Sequence, residues 1–208
     1  MIYELLYSEM VDEIKSVSAA LIIKNDFFIR DEILPGFLEK NKSFENLRNE
    51  LRVLNDNFFS WTYKNTNNKE WLPMGEFHFI AIEEVMQESK NDVLFNREAK
   101  NNINEDIYPF DDHPHGGDGL MTCFAIQNEN VRITLFSENG QIFPMSLGLQ
   151  EYLLKTIEFK ALYGWQYLFA EIDLNKPFFS IVKKDLNKRL EILQQLFPNR
   201  MYNQYFIK

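Results

Sequence analysis

The sequence predicts an α+β fold, a single domain whose central mixed or antiparallel sheet is packed by N-terminal and C-terminal helices. Three observations carry that expectation. Apolar residues toward both ends recur at steps of three and four, the spacing of one helix face. The middle of the chain holds short β-branched and aromatic runs separated by turn residues. No repeat, low-complexity tract or break in composition divides the 208 residues, so helices and strands share one core.

Each element follows in order. Tyr3, Leu6, Met10, Ile14, Val17 and Leu21 mark a first helical face, with Asn25-Asp26 as its stop and a turn at Pro35-Gly36. Phe44, Leu47, Leu51, Leu54 and Phe58 predict a second helix, with Ser43 placed to cap it. After the polar loop KNTNNKEW, the run EFHFIAI is apolar at both alternate sets and reads as a strand covered on both faces. EEVMQESKND continues as a short helix whose leading carboxylates suit the positive end of its dipole. NREAKNNINED, residues 96 to 106, reads as a long exposed loop.

LMTCFAI, VRITLF and QIFPM then form strands, with Asn139-Gly140 as a hairpin turn and Pro144 placing the last strand at an edge. Ser146 is placed to cap a helix carrying Leu147, Leu153, Leu154, Ile157 and Ala161, which Gly164 closes. WQYLFAEI fits helix or strand. Leu186, Leu190, Leu193 and Phe197 share one side of a final helix that stops at Pro198-Asn199. Residues 165–208 read as a helical C-terminal extension of a domain spanning 1–208.

Composition excludes some functions. The net charge is −9 and the pI about 4.9, which argues against general affinity for nucleic acid or anionic membrane, since both need basic surface. It suits a basic protein partner. The one cysteine, Cys123, excludes a disulfide framework or a Cys-rich zinc module, and its apolar setting reads as a buried small hydrophobe. Acidic residues near the start do not fit a signal peptide, and no run approaches the ~20 apolar residues of a membrane span. The expectation is a soluble, cytoplasmic protein.

The stretch YPFDDHPHGGDG, residues 108 to 119, concentrates two of the three histidines, three aspartates and three glycines. Read as a metal centre, His113 and His115 flank Pro114 in an extended backbone, which points both imidazoles the same way, and Asp111 or Asp118 adds a carboxylate. That is the constellation of a metal-dependent hydrolase. Read as a turn, Gly116, Gly117 and Gly119 let the chain swing into the following strand. A third reading makes Asp111, Asp112, Asp118 and Glu105 an acidic contact face, with Trp71 in its polar loop as an apolar anchor. GGDG lacks the lysine and following helix of a phosphate loop, and no G-x-S-x-G elbow occurs, so no cofactor is expected. The third histidine, His78, sits between phenylalanines and reads as a satisfied core or edge residue.

The order of these motifs resembles the SUKH superfamily of Smi- and Knr-like proteins. IAIEEV at 80–85 matches its strand running into a Glu-Glu segment, and GGDGLMTCFAI matches its acidic, Gly-rich turn opening a strand. SLGLQEYL at 146–153 matches its closing capped helix loosely. The resemblance spans roughly residues 30 to 160. The chain departs from it in the two histidines, the long preceding loop and about forty-five further residues. Membership implies a non-enzymatic binding fold, often an immunity protein that neutralises a toxin domain such as a nuclease, otherwise a regulatory scaffold.

Overall fold

The aromatic run NFFSWTYK and the segment WLPMGEFHF put large rings on alternate positions, which a pleated strand sends to one face. The computed structural model describes residues 2–33, 36–64, 71–88, 106–114, 119–137 and 141–207. Within them, seven strands form one sheet: β1 (Ala20–Asp26), β2 (Asn57–Lys64), β3 (Trp71–Phe79), β4 (Asp106–Asp112), β5 (Met121–Gln127), β6 (Asn130–Phe136) and β7 (Ile142–Pro144). They lie in sequence order and every neighbouring pair is antiparallel, a plain meander.

The α+β class is as the sequence predicts, but two strands lie where helices were expected. The first helix, α1 (Ile2–Lys15), ends before Val17, and the apolar run Ala20-Leu21-Ile22-Ile23, with two β-branched residues, opens a strand that pairs with β2 instead. The second helical stretch closes at Leu51, after the turns α2 (Phe37–Lys40) and α3 (Arg48–Leu51) and a 3-10 segment at 42–47. Phe58 kept the helical spacing by coincidence, while its neighbours carry strong strand preference. β4 occupies the start of the stretch read as a turn. The turn expected at Asn139-Gly140 lies outside the described residues, although β6 and β7 do pair across it, and β7 is an edge strand.

Three helices of the fold follow β3 and β7. α4 (Ile82–Glu88) leaves the top of β3, α5 (Leu149–Glu158) follows the sheet, and α6 (Ser180–Leu196) comes after two 3-10 turns at 165–168 and 177–179. α1 buries Tyr3, Tyr7, Met10, Val11 and Ile14, with the Tyr7 ring stacked on Phe27 at 3.9 Å and edge-on to Phe59 at 5.8 Å. Leu186, Leu190 and Leu193 of α6 enter the same core, and Phe197 meets Trp61. A small second cluster, Ile107, Cys123, Ala125 and Phe136, lies on the other face of β4–β6. Burial drives the Cys123 thiol far above its ordinary range, so it is a packed side chain and not a nucleophile.

The sheet has a step in it. β3 and β4 pair only at His78–Asp112 and Phe79–Asp111, so β4 leaves most of the β3 edge uncovered. The chain after α5 fills the gap. Glu76 N–H donates to Ala161 O at 2.8 Å, Tyr163 N–H to Met74 O at 3.0 Å, and Gly75 bridges to Leu162. The approach is so close that a Cβ on Gly75 would sit 2.5 Å from Lys160 O, 2.6 Å from Ala161 O and 2.6 Å from the Trp61 indole nitrogen.

That segment is shaped by the end of α5. The helix stops at Phe159 through a Schellman pair of bonds, Ala161 N–H to Thr156 O at 2.7 Å and Lys160 N–H to Ile157 O at 3.0 Å. Lys160 and Ala161 both take left-handed backbone, φ 56° and 55°, where the sequence had assigned the stop to Gly164. Gly164 instead opens the turn at 165–168 with φ 78°, and Ser146 donates to Phe169 O while the amide of Gly148 is capped by Glu151. Each non-glycine left-handed residue costs about 1 kcal/mol. Contacts of Lys160 offset this: the Trp61 indole donates to its carbonyl at 2.7 Å, and its buried ammonium pairs with Glu13 of α1, which Arg200 also holds.

The close approach makes Gly75 the most size-sensitive position of the sheet. Gly75→Ala is expected to cost roughly 3 kcal/mol, because two carbonyls and an indole must move together. Urea midpoints of the two proteins check it, with Gly164→Ala as a comparison of backbone strain without crowding.

Candidate functional site

The register of the first four strands builds a row across the sheet. Asp26 stands opposite Phe58, Phe58 opposite His78, and His78 opposite Asp112, so the four side chains share one face. Asp56 lies two residues before Phe58 in the turn that enters β2, in left-handed backbone that aspartate tolerates. Just beyond β1, Phe28 is 64% exposed, its backbone fixed by the Asn57 side chain at 2.6 Å and 3.0 Å. The backbone of this exposed phenylalanine is thus already ordered, so a contact made there would cost little further backbone freedom.

His78 organises the row. Its Nδ1–H donates to Asp112 Oδ1 at 2.8 Å and its Nε2–H to Asp56 Oδ1 at 2.7 Å, so the imidazolium is bonded at both nitrogens. The bond to Asp112 and, after the opposing cost of burial, the bond to Asp56 raise its pKa to about 9. The Phe58 ring lies 5.4 Å from the imidazole, and the Lys24 ammonium sits 6.0 Å over the same ring while pairing with Asp26. The row therefore presents three carboxylates and an aromatic face with two cations already seated among them.

Directly behind it is a buried polar chain. Asp111 is fully buried, its Oδ1 accepting from the His78 amide at 3.0 Å and its Oδ2 from the Tyr152 hydroxyl at 2.6 Å. Thr122 donates to Tyr152 at 2.8 Å and Gln166 donates to it at 3.3 Å. His113, also buried, donates Nδ1–H to Leu120 O at 3.3 Å and faces the Gln166 amide with Nε2 at 3.4 Å. Burial lifts the Asp111 pKa to about 6, against the bonds from Tyr152 and the His78 amide that hold it down. Its charge is a cost to the fold near neutral pH, which those bonds offset.

The expected site residues separate accordingly. Asp112 lies on the row, but Asp111 is a correction: alternation along β4 turns it inward, where it serves the core and not a contact face. His113 also points inward with both nitrogens engaged, so it is not placed to ligate a metal. His115, Asp118 and Glu105 lie outside the described residues. Trp71 opens β3 opposite Lys64, and its side chain lies outside what the structure describes. Among the described residues, no group of three or more His, Cys, Asp or Glu side chains is arranged to hold a metal ion. In the sequence Asp26 reads as a helix stop and Phe58 as part of a helical face, which hides any cross-strand register, and nothing local sets Phe28 or Asp56 apart. His78 is satisfied, as expected, but by two aspartates distant in sequence.

No protein-family model, curated protein or solved structure matches the chain. No helix of the described residues is long and apolar enough to cross a membrane.

Two outcomes follow from the titrating groups. Because the folded pKa of His78 is raised from 6.5 to about 9, its stabilisation is complete below pH 6.5 and is lost as pH rises toward 9. The loss should be roughly 2 kcal/mol, discounted because Asp56 is open to solvent. Urea unfolding from pH 6 to 9.5 should show it, and His78→Gln should flatten that slope. Tyr152→Phe strips the buried Asp111 of a donor, at a cost of about 2 kcal/mol near pH 7.5. The cost should shrink at pH 5, where Asp111 in the variant binds a proton.

Proposed function

We propose that the chain is a non-enzymatic, cytoplasmic protein-binding module of immunity type, which binds a basic toxin domain and neutralises it by covering its working surface. The observation that carries this reading is the row of Asp26, Phe58, His78 and Asp112, half-buried apart from the exposed Asp26, with exposed Asp56 beside it and exposed Phe28 at its end. Strands of one sheet hold these side chains in fixed register, so a partner meets a preformed surface. An aromatic anchor flanked by carboxylates is complementary to a cationic surface with an apolar recess, such as the nucleic-acid groove of a nuclease. The charge of −9 adds long-range attraction toward such a partner. The motif order that resembles SUKH proteins points to the same class.

The test first asks whether a neighbouring reading frame encodes a nuclease-like domain, whose absence counts against the immunity reading, and then uses that domain both active and with its catalytic residue replaced. Titration calorimetry should give a complex whose affinity weakens steeply with salt. Phe28→Ala and the pair Asp56→Asn with Asp112→Asn should each weaken it at least about tenfold, and the aspartate pair should lower the salt dependence. Binding unaffected by these changes would remove the row from the interface. In a parallel assay with the catalytically intact domain, nuclease activity that stays full in excess of the protein would refute the immunity reading itself.

A further inference from the structure

Three part-buried cations of this protein have carboxylate partners: Arg30 pairs with Glu83, Lys155 with Glu158, and Lys160 with Glu13. Arg189, half-buried on α6, does not. Its guanidinium lies 5.4 Å from the centre of the Tyr163 ring and donates one long bond, 3.5 Å, to Tyr163 O. Among the described residues no carboxylate lies within ion-pair distance of it, and most of its five N–H donors have no acceptor. The ring's negative face attracts the guanidinium and holds it near Tyr163.

Two concavities meet at this arginine. One, about 160 Å³, runs between α6 and the turn at 163–167 and is walled by Leu120, Tyr167, Val182 and Leu186. The other, about 140 Å³, is walled by Leu72, Pro73, Met74 and Ile192 on the β3 side. Arg189 and Asp185 line both, and Lys188 lines the second. Two cations against one carboxylate make this groove locally positive on a chain of net charge −9. Ile181, at the start of α6, also lines the first cavity and is 73% exposed, so apolar surface continues to its open side. The groove is therefore an apolar trough with one anion-seeking fork at its middle.

We propose that this groove binds the carboxyl end of a peptide chain that finishes in apolar residues. The terminal carboxylate takes a two-pronged bond from Arg189, the strongest pairing its fork makes. The last side chain fills the cavity under Leu120 and Val182, and the preceding chain continues into the Leu72–Met74 cavity. Each cavity matches about one aliphatic side chain, and two of them sharing Arg189 favour a peptide over a single small acid. Asp185 weakens the site, since it faces the incoming carboxylate. The groove is independent of the aspartate row and of any toxin.

The experiment measures fluorescence anisotropy of a labelled hexapeptide ending in Leu-Leu with a free carboxylate, against its C-terminal amide. The free acid should bind at least about tenfold more tightly. Arg189→Gln should abolish that preference, and Arg189→Lys should weaken binding while keeping the charge. Asp185→Asn should strengthen binding a few-fold, a gain that damaged folding cannot produce. Thermal midpoints accompany each variant. Equal binding of acid and amide, or no binding at about 1 mM peptide, overturns the proposal. N-acetyl-leucine competing as strongly as the hexapeptide also overturns it, by showing a site for small acids.

Discussion

The contact of Gly75 with the carbonyls of Lys160 and Ala161 is the constraint around which the fold is arranged. β4 is offset from β3, and a sheet with an uncovered inner edge leaves amides and carbonyls without partners. The 160–163 segment supplies those partners only because glycine lets two backbones touch and because α5 ends in left-handed turns aimed at the gap. From this one junction follow the position of Tyr163 over β3, the turn that buries Trp165, and the docking of α6 beside Leu72–Met74. The groove around Arg189 exists because the chain had to cross the sheet edge there.

His78 joins two polar systems of opposite character. Its ring faces the solvated aspartates, and its amide faces the buried carboxylate of Asp111. The outer system gains from charge on every member, since each ion has a counter-ion. The inner one tolerates a single charge because Tyr152 and the backbone stabilise it, with Thr122 and Gln166 orienting that hydroxyl in turn. Adjacent aspartates, 111 and 112, thus have unrelated tasks set by strand alternation alone.

How much of this was legible in the sequence depended on how local each cause was. LMTCFAI and VRITLF declared themselves because turn and alternation are both short-range. The final helix did so because Leu186, Leu190 and Leu193 repeat without interruption. β1 and β2 stayed hidden because their apolar spacing satisfied both periods, and the choice was made by packing against α1 and β3. The reactive look of YPFDDHPHGGDG came from residue types, whereas the roles of Asp111 and His113 came from the distant Tyr152 and Gln166. The aspartate row could not be read at all, since it is a property of register between four strands.

Glu13 is bonded both to Lys160 and to Arg200, a contact 187 residues away along the chain. The first helix is thus secured partly by a side chain made long after it. During synthesis, α1 and the early strands emerge with their anchoring cations still inside the ribosome. Until they emerge, Glu13 has neither of its cations beside it, and α1 is held by its apolar face alone, with Tyr7 against Phe27 and Phe59.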